Sequence, residues 1–151
     1  MTRTESGTGT KSALSSHWTV PAELNAVPGL VMEAAEFLEA HGIQGRPATT
    51  TQLALEELAT NVARHRTEPS RHCRIRVDLE LGPEEIRITV EDDGGPFDPI
   101  FEAPTPDLNA PLEERTPGGL GLYLVKSMVE GFDYHRHDGL NHVRMSVRRA
   151  S

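Results

Sequence analysis

Cysteine is almost absent from this chain. Cys73 stands alone among 151 residues, which excludes an intramolecular disulfide and a zinc site built on thiolates. It opens a predicted strand, where a packed, idle thiol is the expected state. Long apolar runs are missing too. No stretch approaches the ~18 residues a membrane helix needs. Lysine is scarce, with only Lys11 and Lys126. The 13 arginines are scattered and the net charge is −8, whereas a nucleic-acid surface needs a concentrated basic face. Arg71, Arg74 and Arg76 are the densest basic patch and read as a solvated strand face. Aromatic residues make up 5%, and the single tryptophan, Trp18, is expected to pack at an edge. Met1 to Ser16 is rich in Thr, Ser and Gly and lacks the apolar core of a signal peptide. Residues 1–15 are therefore expected to be a disordered tail, and the chain to stay in the cytoplasm.

What remains fits one folded domain over residues 16–151, large enough to bury a core without covalent staples. Hydrophobic residues are 36% and charged residues 25%, a globular balance. Residues 22–41 show helical periodicity, with Leu24, Val27, Leu30, Val31, Ala34, Phe37 and Leu38 on one face. Pro28 marks a start or kink, and His41-Gly42 supplies C-cap chemistry. A second helix is expected from about Thr49 to His65, capped by Thr49, Thr50 or Thr51. Residues 73–81 alternate, with Ile75, Val77, Leu79 and Leu81 on one face. Gly82-Pro83-Glu84 then turns the chain into a strand carrying Ile86, Ile88 and Val90. A proline-rich segment, 93–117, has the length of a functional lid. A helix over Gly121–Glu130 offers Leu122, Leu124, Val125, Met128 and Val129 to the core and stops at Gly131. Phe132–His137 and His142–Arg148 form a last hairpin turned at Asp138-Gly139. Helices segregated from hairpins imply a two-layer α+β sandwich, not a doubly wound parallel sheet.

Three segments can carry chemistry. On the strand 86–92, a period of two places Asp92 on the face of Ile86, Ile88 and Val90. A buried carboxylate there needs a hydrogen-bond donor, either a ligand amino group or a nearby backbone N–H. Asp93 is expected to face solvent or the turn. On the second helix, Asn61 lies about 40° and His65 about 80° around from Glu57, bordering the apolar stripe, while Glu56 points outward. A carboxylate and an amide at i and i+4 can hold a hard cation and orient a nucleophile, or form a plain surface pair. Gly118-Gly119-Leu120-Gly121 opens a helix, where bare N–H groups attract phosphate, or where a loop simply meets a helix. It is neither a Walker A loop nor a Rossmann fingerprint. His135 and His137, beside Asp133, read as a solvated face without metal-ligand spacing.

Taken together, Glu57…Asn61, Asp92-Asp93-Gly94 with Phe97-Asp98-Pro99, and Gly118-Gly119-Leu120-Gly121-Leu122 resemble the N, G1 and G2 boxes of GHKL (Bergerat-fold) ATPases. Within them, Leu55–Asn61 followed by His65, and Gly119–Val125, are similar to the small bacterial anti-sigma-factor serine/threonine kinases. The resemblance spans roughly Ser16 to Arg149. It implies a Bergerat ATP-binding fold with a mixed, mostly antiparallel sheet and helices on one face, and ATP and Mg²⁺ as cofactors. It implies that Asn61 coordinates Mg²⁺, that Glu57 is the general base or orients the attacking hydroxyl, and that Asp92 accepts the adenine amino group. It also places Gly94, Gly118, Gly119, Leu120, Gly121 and Leu122 at the nucleotide, and Arg115 at the γ-phosphate. Pro96 departs from the family's Asp-x-Gly-x-Gly pattern, and a dimerisation helix bearing a histidine is missing. The implied partners are a sigma factor and an anti-sigma-factor antagonist whose serine is phosphorylated. A homodimer is implied by the resemblance alone. Two rival readings remain: a nucleotide-gated binding module without chemistry, and a structural domain with a decayed site.

Overall fold

The computed structural model describes residues 2–7, 14–65, 72–96, 109 and 119–150, with backbone alone for 2–7, 119 and 120. Among the described residues, six strands, β1 (Thr2–Gly7), β2 (Leu14–Pro21), β3 (Arg74–Leu81), β4 (Glu85–Asp92), β5 (Glu130–His137) and β6 (Leu140–Arg148), form one sheet in the order β1-β2-β3-β4-β6-β5. The second layer, among the described residues, is built by α1 (Val27–Ala40), α2 (Arg46–His65) and α3 (Gly119–Met128). The result is the two-layer α+β sandwich expected. Its sheet is antiparallel at all five pairings.

The strands form because apolar residues recur at every second position. Ile75, Val77, Leu79 and Leu81 of β3, Ile86, Ile88 and Val90 of β4, and Val143, Met145 and Val147 of β6 are all buried. Burying one such side chain contributes roughly 1.5–3 kcal/mol. The exposed ion pairs of the outer face, such as Arg76–Asp78 at 3.3 Å, add at most about 1 kcal/mol each. The inner face therefore dominates. Arg74 and Arg76 stand exposed on the outer face, as a solvated strand face requires; Arg71 lies outside the described residues.

The helices close the other side of the core. Leu30, Ala34, Phe37 and Leu38 of α1, Ala54, Leu55, Leu58 and Ala59 of α2, and Leu122 and Val125 of α3 are buried. The central helix, α2, contacts β4 and β6 below it and α1 and α3 beside it. At the end of α1, Gly42 takes φ +77°. Its N–H donates to the Glu39 carbonyl at 3.1 Å, and that of Ile43 to the Leu38 carbonyl at 2.9 Å, a Schellman cap of the type His41-Gly42 suggested. The β5–β6 turn has φ +52° at Asp138 and +76° at Gly139, as a type I′ hairpin demands.

Several expectations need correction. Part of the segment read as a tail, Thr2–Gly7, is β1 and pairs with β2; a polar edge strand gives no hydrophobic signal. Trp18 is not at an edge but fully buried, edge-on to Phe37 with ring centroids 5.9 Å apart. The first helical segment divides into a 3₁₀ turn at Leu24–Ala26 and then α1, leaving Leu24 exposed. Helix α2 begins at Arg46, ahead of the three threonines, with Pro47 in its first turn. Thr49 and Thr51 do not cap it; their hydroxyls donate back to the Gly45 and Pro47 carbonyls at 3.1 and 2.8 Å. Leu124 is exposed, unlike its neighbours Leu122 and Val125. Gly131 does not stop α3, which ends at Met128. It lies at a register shift in β5 with φ +60°, where a bulge favours glycine.

Candidate functional site

The polar site begins where the inner rows of two neighbouring strands change from apolar to polar. On β4 the row Ile86, Ile88, Val90 ends in Asp92; on β6 the row Val147, Met145, Val143 ends in Asn141. Antiparallel register sets Asp92 opposite Asn141. Both are buried, at 8% and 2% exposure. The Asp92 Oδ1 accepts the Gly94 N–H at 2.9 Å and the Asn141 Nδ2–H at 2.9 Å. A backbone N–H and a side-chain donor are thus both present at this carboxylate. Burial pushes the Asp92 carboxyl above its usual range, and the hydrogen bonds from Asn141 and Gly94 pull it partly back.

Asn141 extends the network. Its Nδ2 also donates to the Gly95 carbonyl at 2.9 Å. Its Oδ1 accepts from the Tyr134 hydroxyl at 2.6 Å and from Arg136 at 3.0 Å. The same Arg136 nitrogen donates to the Gly94 carbonyl at 3.1 Å. A side chain at Gly94 would press against the Asp92 Oδ1 and the Cys73 sulfur, so glycine is needed there for space. Asp93 serves the turn as expected, accepting the Arg74 N–H at 2.8 Å. Cys73 is buried beneath it; burial, with Asp93 as its hydrogen-bond partner, pushes the thiol up to about 12. An idle thiol is the chemical consequence.

Helix α2 supplies the opposite wall. Glu57 and Asn61 are half-buried while Glu56 is exposed, as their helical phase demands. The Asn61 Nδ2 donates to the Glu57 carbonyl at 2.9 Å. Among the described residues nothing engages the Asn61 Oδ1, so this oxygen can ligate. A hard cation such as Mg²⁺ takes one or two protein oxygens and fills its octahedron with phosphate and water, which this single donor fits. No cluster of three or more His, Cys, Asp or Glu able to cage a metal exists among the described residues.

The two walls enclose a hollow. It is lined by Leu58, Asn61, Val62 and His65 of α2, by Val90, Asp92, Gly94 and Gly95, and by Asn141 and Val143. Asn61 and Asp92 therefore face one space. Glu57 opens instead on an adjoining groove formed with Leu24, Val27, Pro28, Glu56, Thr60, Arg64 and Gly121. Burial raises the Glu57 carboxyl above its usual range, Glu56 raises it further, and Arg64 opposes both. The Glu57 carboxylate lies directly against Gly121 of α3, leaving no room there for a Cβ. Helix α2 thus separates two clefts with different acids in each.

Of the remaining candidates, Leu122 is buried in the core beneath α3, and Gly119 and Leu120 form the first turn of that helix. Gly118, Arg115 and Phe97-Asp98-Pro99 lie outside the described residues, as does all of the proline-rich segment beyond Pro96 except Asn109. Asn141, Tyr134 and Arg136 were not anticipated. Asn141 ends an alternating apolar row just as Asp92 does, but its role rests on the register of β6 against β4, which the residues alone do not give.

Residues 20–147 match the family described as Histidine kinase-like ATPase domain. The chain is 27% identical over 132 residues to the Serine/threonine-protein kinase BtrW of Bordetella bronchiseptica, covering 85% of this chain and 92% of that one. It is 23% identical over 94 residues to the Serine-protein kinase RsbW of Bacillus subtilis, covering 59% and 58%. No described helix is long and apolar enough to cross a membrane. With a matching segment that spans most of its length and a polar hollow between α2 and the sheet, the chain belongs to the histidine kinase-like, GHKL-type ATPase domains.

Proposed function

We propose that this protein is an ATP-dependent serine/threonine protein kinase that acts as a cytoplasmic anti-sigma regulatory factor. Its substrate would be a serine of a small antagonist protein, and its second partner a sigma factor. Two relatives named as serine or serine/threonine kinases support this reading. One structural observation carries it: Asn61 and Asp92 converge on a single hollow, while Glu57 of the same helix opens on the groove next door. A base bound by Asp92 and a triphosphate running past Asn61 would end near Glu57, where a second protein can approach.

In this reading Asp92 accepts the adenine amino group. The backbone at Gly94 and at the start of α3, with Gly118, Gly119 and Gly121, approaches the nucleotide, and Arg115 meets the γ-phosphate. Asn61 holds Mg²⁺, which neutralises phosphate charge when bound. Glu57 accepts the proton of the attacking hydroxyl as its oxygen bonds to the γ-phosphorus and ADP leaves. Transfer of this kind relies on positioning and charge neutralisation.

The direct test is incubation with labelled ATP and the products of neighbouring genes. Label should appear on a serine of one of them and fall about 100-fold or more in Glu57→Ala, whose ATP affinity should stay within a few-fold of wild type. ATP-dependent capture of a partner with no label incorporated would show a nucleotide-gated binding module instead.

A further inference from the structure

The buried asparagine opposite Asp92 has every hydrogen-bonding position filled. Its two N–H donors go to the Asp92 Oδ1 and the Gly95 carbonyl, and its oxygen accepts from Tyr134 and Arg136. A carboxamide has two donors and two acceptor sites, so none is left over and the amide plane is pinned. The same is true of one Asp92 oxygen: Oδ1 holds Asn141 and the Gly94 N–H, and among the described residues nothing engages Oδ2. Arg136 ties the arrangement to the turn by donating at once to Asn141 and to the Gly94 carbonyl.

We propose that Asn141, held by Tyr134 and Arg136, is the specificity-determining positioning residue of the hollow: it fixes Asp92 so that one oxygen is spent and the other meets the ligand as a pure acceptor. This rests on the reading of the hollow as a nucleotide site. A base carrying an exocyclic amino group donates to that oxygen. Its 6-oxo counterpart presents a carbonyl to a carboxylate and leaves a buried acceptor unpaired. Sites built to bond a particular N–H reject analogues lacking it strongly, because the protein group is stranded. Asn141 itself touches Asp92 and the turn. Its effect on the base runs through Asp92, and loosening it lets the carboxylate rotate or take up water.

The test compares the affinities of wild type, Asn141→Leu and Arg136→Gln for ATP and for inosine triphosphate, in which a 6-oxo group replaces the amino group and N1 carries a proton. Wild type should favour ATP by about 100-fold or more, and both variants should lower that ratio at least about ten-fold. Arg136→Lys, which keeps a donor, should restore part of it. Arg136 is exposed, so its variants fold even where Asn141→Leu does not. A structural role would lower both affinities in parallel; only loss of positioning changes the ratio. An unchanged ratio in folded Asn141→Leu and Arg136→Gln overturns the inference while leaving the nucleotide site standing. Failure of wild type to bind either nucleotide overturns the nucleotide site, and the inference with it.

Discussion

Gly121→Ala separates stability from chemistry at the contact between α2 and α3. The added methyl would occupy the space of the Glu57 carboxylate. That carboxylate is the far end of a flexible side chain, so it moves rather than the helix. Off-rotamer strain costs about 0.5–1.5 kcal/mol. Alanine in place of a helical glycine returns about 0.8–1 kcal/mol. The two nearly cancel, leaving net stability within about 1 kcal/mol of wild type and the melting temperature within roughly 4 °C. Activity should respond differently. A positioned general base supplies about 10²–10⁴-fold, so phosphate transfer at saturating ATP should fall about 100-fold or more. The assay pairs thermal unfolding with single-turnover transfer, and repeats both in a Glu57→Ala background. There Gly121→Ala should cost nothing further, because the group it displaces is already gone. Near-normal transfer in the single variant, or a full additional loss in the double variant, would refute the reasoning.

Other expectations follow from burial and charge. The folded state raises the Asp92 carboxyl above 3.8, so the native protein binds this proton more tightly than the unfolded chain does. The resulting penalty is absent in strong acid, grows as pH rises above about 3.8, and is full beyond the raised native value. Asp92→Asn should therefore gain stability relative to wild type as pH rises towards neutral, measured by urea unfolding, while losing nucleotide affinity; a constant difference across pH would contradict this. Leu79→Ala, at a fully buried position on β3, should cost about 2–5 kcal/mol, read from a shift in the denaturation midpoint. Cys73 should resist thiol reagents at pH 8 in the native protein and react promptly in denaturant. Rapid native labelling would contradict its burial and its raised proton affinity.

The parts of the fold legible from residues alone are those set by local period. Strand alternation placed Asp92 inward, and helical phase separated Glu57 from Glu56, because each depends only on geometry within one element. The Asp138-Gly139 turn was legible for the same reason. Asn141 was not, because its meaning depends on β6 pairing with β4, a strand distant in sequence, in one particular register. Edge strand β1 escaped because its sequence, Thr-Arg-Thr-Glu-Ser-Gly, contains no apolar alternation to read. The start of α2 was misread because three threonines suggested caps, whereas the Arg46-Pro47 pair carried the stronger signal. The division into two clefts could not be seen in a helical wheel. It depends on α3 placing Gly121 against one flank of α2 while the sheet closes the other.

The most direct test is a crystal structure with a non-hydrolysable ATP analogue and Mg²⁺. The adenine should lie in the hollow with its amino group on the Asp92 Oδ2, the ion should be bound by the Asn61 amide oxygen, and the γ-phosphate should point towards Glu57. A nucleotide seated elsewhere, or a base in the hollow turned away from Asp92, would contradict the account.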